Sequence, residues 1–525
     1  MMSAAQPVNS KRLAHPLAQR ARVLARLSLN RDFEAAAARM LTQGGDNRIV
    51  LNTQGSNAYG FGPRPDPALL QFGSSTGSVI SPLGFQAAVT LFRHLYGPAG
   101  SYHLEVERQR REVSQLCGAA DVPGTELVFA ASGTDVHLFA AHLAARGQPE
   151  RLQAVMVEAG ETGSGVPEAL AALHFATQTS QGQSVQRGES LALLSMQAPL
   201  CVKLRHEDGS LRSQAEVDAE FAEHVARQVQ ADGRCLLVMT DVSKTGLLAP
   251  SLACATQLRA HYGERLSVLV DACQCRLSPG NLSGYLAQEF MVAITGSKFV
   301  GGPAFCGALL LPPGVAQRSQ SVPLSALVDY SARSDWPPGW LPAKALAESA
   351  NLGLLLRWEA ALAEWRRFKA LPDQVVHDFL QSWQQAVSQR IASDASFAAL
   401  PVAALQRGQL GQAPGWDSVQ SIFPFYVFKR SADGERQVLS LPEITLLYQQ
   451  LRGAQGILGV MRPRFQLGQP VHCGQDAGLP MGALRLCSGA RLVTESMAAR
   501  QPVASAIEQA MQALDQVALL SQALR

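Results

Sequence analysis

No run of Lys and Arg is dense enough to meet a nucleic acid, and the net charge over 525 residues is only +3. A polyanionic partner is therefore not expected. No uninterrupted apolar stretch approaches the length of a membrane span, so no membrane partner is expected. The first residues, MMSAAQPVNSKRLAHPLAQRARVLARL, contain no continuous apolar segment of the kind a secretory signal needs. Their Arg-rich character is that of a transit peptide, but Asp32 and Glu34 follow at once. No two of the nine scattered cysteines form a Cys-x-x-Cys pair, and none joins a Cys/His cluster with zinc spacing. No metal site is expected, and reduced thiols in a cytoplasmic protein are the plain reading. No Gly-x-Gly-x-x-Gly follows an early strand with an acid at the right distance, which sets aside a nicotinamide-dependent dehydrogenase.

What is present is the composition of a globular protein. Hydrophobic residues make up 47% and charged residues 17%. At roughly 150 residues per domain the chain has room for two or three. Its organising stretch runs from Ser267 to Pro312. An apolar run, Leu266 to Val270, ends on Asp271. A second, Phe290 to Ile294, ends on Thr295-Gly296-Ser297-Lys298, and Gly301-Gly302-Pro303 leads to a third, Gly307 to Leu311. Short apolar runs bounded by turn residues suit strands buried on both faces. In such sheets, sites lie at strand ends, and here one end offers an acid and the next a lysine.

Upstream, Glu126 to Ala131 reads as a strand running through Ser132-Gly133-Thr134-Asp135 straight into the apolar helix VHLFAAHLAA. A helix start after a tight Gly turn directs unpaired N–H groups and the positive end of the helix dipole at an anion, with Asp135 expected as the cap. Phe72 to Ser78 is rich in small polar residues that leave backbone groups available to a ligand. Ser74, Ser75 and Thr76 lie in this run.

An acid and a lysine so arranged are what pyridoxal phosphate chemistry requires. The amine joins the aldehyde as a Schiff base, and the carboxylate keeps the pyridine nitrogen protonated. Asp271-Ala-Cys-Gln274, Thr295-Gly-Ser-Lys298 and Gly302-Pro303 together resemble the class V aminotransferase group of fold type I pyridoxal phosphate enzymes. That group includes cysteine desulfurases, kynureninases and isopenicillin N epimerase-like proteins. The resemblance covers about residues 70–320 well and the C-terminal third loosely. It implies an α/β fold with a mostly parallel seven-stranded sheet flanked by helices, a small α+β C-terminal domain, and a homodimer. It also implies Lys298 as the Schiff-base lysine, with Lys244 in Ser243-Lys244-Thr245-Gly246 as its rival, and Asp271 against the pyridine nitrogen. The phosphate falls to Ser132, Gly133, Thr134 and Thr295. Ser297 stands where many members have His. Gln274 would touch the ring oxygen, Ser243 lies near the cofactor or substrate, and Ser75 and Thr76 lie on the substrate side. Leu484-Arg485-Leu486-Cys487-Ser488 resembles the family strand whose arginine grips the substrate carboxylate. A planar guanidinium does this with two parallel hydrogen bonds, and Arg491 is the runner-up. The group on the pyridine face is Glu161, Thr162 or a ring such as His137. Cys273, Cys275 and Cys306 read as buried and inert.

The divisions expected are an arm and loop segment at 1–80, a cofactor-binding domain at 81–330, a connector and bridging helix at 331–370, and a small domain at 371–525. Within them the pattern predicts helices over 17–42, 83–96, 102–116, 214–231, 250–262, 345–368, 376–393 and 502–524. Strands are predicted at 152–157, 235–240, 421–430 and 456–460, with a loop over 44–81 and a turn at 469–474 that brings His472 and Cys473 toward the site. The function these readings imply is chemistry at the α-carbon of an amino acid, with transamination first. A β-lyase or desulfurase-like reaction is second, and a non-catalytic binding protein on the same scaffold is third.

Overall fold

The computed structural model describes residues 32–191, 194, 196–231, 233–410, 414–430, 434–453, 463–476, 478–498 and 502–524. The strand expected at 456–460 and the helical reading of 17–31 lie outside these residues. Two sheets organise the rest. The strands in chain order are β1 Leu69–Phe72, β2 Glu126–Ala130, β3 Leu152–Val157, β4 Leu200–Val202, β5 Arg234–Asp241, β6 Leu248–Ala249 and β7 Leu266–Ala272. They continue with β8 Met291–Thr295, β9 Gly307–Leu311, β10 Phe397–Ala399, β11 Ile422–Arg430, β12 Arg436–Val438, β13 Arg464–Asp476 and β14 Leu479–Cys487.

The large sheet has the order β2-β9-β8-β7-β5-β3-β4, with the two-residue β6 added beside β5. The pairs from β8 through β4 are parallel, and β9 runs against both β8 and β2. Seven strands therefore form the continuous sheet, as the resemblance implies. Its strands are apolar without alternation because both faces are covered. Leu237, Met239, Val268 and Val270 belong to one core, and Leu236, Val238 and Leu269, pointing the other way, belong to a second. Burying each such side chain stabilises the fold by roughly 1.5–3 kcal/mol.

The first core is closed by helices α1 Pro82–Leu95 and α2 Tyr102–Cys117, and the second by α3 Gly133–Ala145. Ser81 starts α1 by accepting from Gly84 N at 2.8 Å, with Pro82 just inside. Gly118 ends α2 in the left-handed region at φ 86°. Helix α4 Gln214–Gln230 opens on a Ser213–Glu216 capping box. Helix α5 Leu352–Lys369 begins seven residues later than predicted. Leu341–Ala345 forms a separate 3-10 turn, and the Asn351 side chain accepts from Leu354 N at 2.9 Å and starts the helix there. Trp336 and Trp340 of the connector are buried in the second core.

The second sheet, β1-β13-β14-β11-β10 with β12 on β11, packs with helices α6 Asp373–Ser393, α7 Leu441–Arg452 and α8 Pro502–Ala523 around a third core. Two features depart from the sequence reading. Residues 44–81 contain strand β1, which pairs in parallel with β13, Leu69 opposite Arg464. The expected turn at 469–474 is part of β13, which stays paired with β14 through irregularities in register.

Candidate active site

β7 and β8 are parallel neighbours, with Asp271 opposite Ala293 and Ala272 opposite Ile294, so Asp271 and the Thr295–Lys298 turn leave the same edge of the sheet. β2 runs parallel to β8 through the intervening antiparallel β9, which brings the start of α3 to that edge too. The loops after β3 and β5 add Thr162 and Lys244. From the second sheet come Ser75 and Thr76 after β1, Gln469 to Val471 on β13, and Arg485 on β14. All of these line one cavity of about 360 Å³.

Ser132 caps α3, its Oγ accepting from Thr134 N and Asp135 N at 3.1 and 3.3 Å. The cap is thus Ser132 and not Asp135, whose carboxylate instead accepts from the Ser132 hydroxyl. Burial pushes the Asp135 carboxyl up to about 7. Gly133 is held close to β7. A Cβ there would meet Cys273 Sγ at 2.8 Å, so a larger residue would push the start of α3 away from β7. Thr295 Oγ1 donates to Cys273 O at 2.6 Å and accepts from Ser297 Oγ at 3.3 Å.

Asp271 is buried and accepts from Thr162 Oγ1 at 3.0 Å and Cys273 N at 3.1 Å, with His137 Nε2 at 3.4 Å. Burial raises its carboxyl, but the charges of His137 and Lys298 and the hydrogen bonds outweigh this and hold it well below the usual carboxylate range. His137 is aimed by its Nδ1, 2.7 Å from Gly133 O. Of the three groups weighed for the pyridine face, Thr162 hydrogen-bonds Asp271, and His137 Nε2 lies 3.4 Å from the same carboxylate. Glu161 lines the cavity but is tied up by Ser243 and Thr245.

Arg485 is buried. Nη1 donates to Lys244 O at 3.1 Å, and Nη2 donates to Thr76 Oγ1 at 3.0 Å and Gln469 O at 2.6 Å. Its Nε meets no partner among the described residues. Gln274 Nε2 donates to Ser75 O at 3.0 Å, leaving Oε1 unpartnered.

No protein-family model matches the chain, and no curated protein matches it in sequence. Solved structures do match in shape. A NifS-like protein aligns with a TM-score of 0.50 at 12% identity, covering 85% of this chain and 99% of the other. The fold is type I of the pyridoxal phosphate enzymes. The cysteine desulfurase CsdA from Escherichia coli (TM-score 0.48, 15% identity, 85% and 95% covered) and mouse CSAD (0.49, 15%, 86% and 84%) also align.

On this type I scaffold, Ser132, Gly133, Thr134, Asp271, Gln274, Thr295, Ser297, Lys298, Ser75, Thr76 and Arg485 share the cavity. Ser243 does not. Its hydroxyl donates to Glu161 at 2.7 Å and turns away from the space. Ser74 is likewise drawn off, donating to Ser488 O and accepting from Arg276. Arg491 bonds Glu495 and Val79 O outside the cavity. His472 is exposed and Cys473 is buried, and neither lines the space, although Pro470 and Val471 beside them do. Arg48 and Tyr59 escaped the sequence reading. They come from the loop-like segment and line the cavity, with Arg48 Nη2 at 3.3 Å from Thr134 Oγ1. The cue was Asp46-Asn47-Arg48, a charged pair in a Gly-rich loop. Among the described residues no group of three His, Cys, Asp or Glu side chains is placed to hold a metal ion, and no helix is long and apolar enough to cross a membrane.

Proposed function

We propose that this protein is a pyridoxal-phosphate-dependent enzyme acting at the α-carbon of an amino acid, and an aminotransferase first. The observation that carries the reading is the meeting in one cavity of an N-terminal helix end, a carboxylate held ionised, a lysine and a buried arginine. The donor set suits the cofactor. The start of α3 and the Ser297 hydroxyl would take its phosphate, and Asp271 its ring nitrogen. Gln274, which has an unpartnered polar atom, would take the ring oxygen, and Lys298 the aldehyde carbon. When bound, pyridoxal phosphate supplies an electron sink for the bond broken at the α-carbon.

The protein's own residues do the rest. Asp271 keeps the ring nitrogen protonated, with Thr162, His137 and Cys273 N–H fixing the carboxylate's direction. Lys298 moves the proton at the α-carbon. Arg485 orients the substrate by its carboxylate, and the Gln469–Val471 strand segment covers the space and excludes water.

The thiols support transamination over desulfuration. All nine cysteines lie among the described residues and eight are buried. Burial pushes Cys273 well above the ordinary thiol range and Cys306 up to about 12. The exposed Cys201 sits on β4, away from the cavity, and its thiol too is raised. The two thiols that line the cavity, Cys273 and Cys306, are therefore not poised as nucleophiles.

The test is the visible spectrum of the purified protein with added pyridoxal phosphate, followed by single amino acids. A yellow band that shifts with an amino acid, with a keto acid as product, is the expected result. A protein that stays colourless would refute the reading. Arg485→Lys is expected to lower kcat/KM by about 10–100-fold, since an ammonium cannot make two parallel bonds to a carboxylate. Steady-state kinetics with kcat/KM unchanged would remove Arg485 from the substrate.

A further inference from the structure

The cavity holds a lysine that the chemistry at the α-carbon does not use. Lys244 lines the space, and its carbonyl accepts Arg485 Nη1 at 3.1 Å, so the two cationic residues adjoin. Among the described residues no hydrogen-bond or ion-pair partner meets the Lys244 amine. The acid whose charge reaches it, Glu161, is committed elsewhere. That carboxylate accepts from Ser243 Oγ at 2.7 Å, Thr245 N at 3.1 Å and Thr245 Oγ1 at 2.7 Å, and it faces Arg205 Nε at 3.7 Å.

This end of the cavity thus carries positive charge that the protein does not neutralise. Burial first, then the charges of Arg485 and Lys298, pull the Lys244 amine down to about 8, against the smaller opposing pull of Glu161 and Cys473. Lys244 is half-buried, an ammonium held there without a counter-ion is disfavoured, and an anion brought by a ligand relieves that cost.

We propose that the substrate is an α-amino acid whose side chain carries a second anionic group, which Lys244 holds while Arg485 holds the α-carboxylate. The proposal rests on the reading of the cavity as an amino acid site. It explains why two cations adjoin where a neutral amino acid needs one.

Calorimetric titration of the pyridoxal-phosphate-loaded protein with glutarate and with butyrate reads anion binding without turnover. Glutarate is expected to bind about tenfold more tightly or better. Lys244→Gln is expected to bring the ratio of the two affinities toward one, and Lys244→Arg to restore much of it. L-Glutamate and L-cysteine sulfinate, compared with L-alanine by the shift of the visible band, distinguish a carboxylate from a sulfinate as the second anion. Equal affinities for glutarate and butyrate, or a ratio that Lys244→Gln leaves untouched, would overturn the proposal. A protein that forms the visible band but shows no dicarboxylate preference overturns this proposal alone. A protein that forms no band overturns the underlying reading and this proposal with it. The band formed by each variant also reports that it has folded.

Discussion

Lys298→Ala is expected to lose the visible band of the loaded protein and to lower turnover by about 10²–10⁴-fold, the range for removing a positioned acid–base group. The loss of covalent attachment adds to this. The side chain leaves a turn that the surrounding structure holds closely. Gly301 N donates to Lys298 O at 3.1 Å, and Gly301 itself has φ +94°. A Cβ on Gly296 or Gly302 would meet Ala361 Cβ at 2.7 or 2.5 Å, so the turn is pressed against α5. Alanine shortens the side chain without disturbing this backbone, and the melting temperature is expected to stay close to that of the parent. The comparison with Lys244→Gln is decisive, because both amines open on the same cavity. A band that survives Lys298→Ala and disappears in Lys244→Gln would exchange the roles of the two lysines.

Asp271→Asn is the second large effect. It preserves shape and removes the charge. The expected fall in kcat is about 10²–10³-fold, the size found when a preorganised electrostatic partner is removed. The altered amide also weakens the contacts of Thr162 and His137, with an expected stability cost of about 1–3 kcal/mol. Thermal unfolding of the loaded variant separates the two consequences. A variant that melts like the parent yet turns over slowly assigns the loss to the ring nitrogen. Unchanged kcat would remove Asp271 from the chemistry. The sign of the pH effect follows from the depressed carboxyl. Asp271 stays ionised through the whole neutral range, so its own titration is not expected to shape the pH–rate profile there.

The strand ends that build the floor of the cavity were legible because they belong to strands covered on both faces. Such strands read as short apolar runs, and the residue where each run stops is the one that reaches the edge. Asp271, Thr295 and Lys298 all follow this rule, and Ser132 follows it through the helix it caps. The roof was harder to read. Strand β1 is four residues long, LLQF, with no alternation, and its partner is at the other end of the chain. Nothing local marks it as a strand. Arg48 and Tyr59 come from the same segment and reach the site only through tertiary folding. Ser243 shows the opposite error. Its place after β5 was read correctly, but the direction of its hydroxyl is set by Glu161, a buried acid that needs donors more than the cavity does. His137 lies in a helix buried on nearly every side, where periodicity gives no face.

The pairing of β1 with β13 has a consequence for synthesis. The ion pair Arg464–Asp66 at its start joins residues 398 apart. At typical ribosomal speeds the N-terminal strand waits roughly 20–80 s before its partner emerges. Until then Leu69–Phe72 has nothing to pair with, and Ser75 and Thr76, which follow it, have no Arg485 to meet. The large sheet can form from residues already made, whereas the substrate side of the cavity is assembled last. Contacts this distant in sequence are slow to close, and an unpaired strand is open to the wrong neighbour while it waits. A chain stopped before β13 therefore carries the lysine and the acid but no grip for an amino acid.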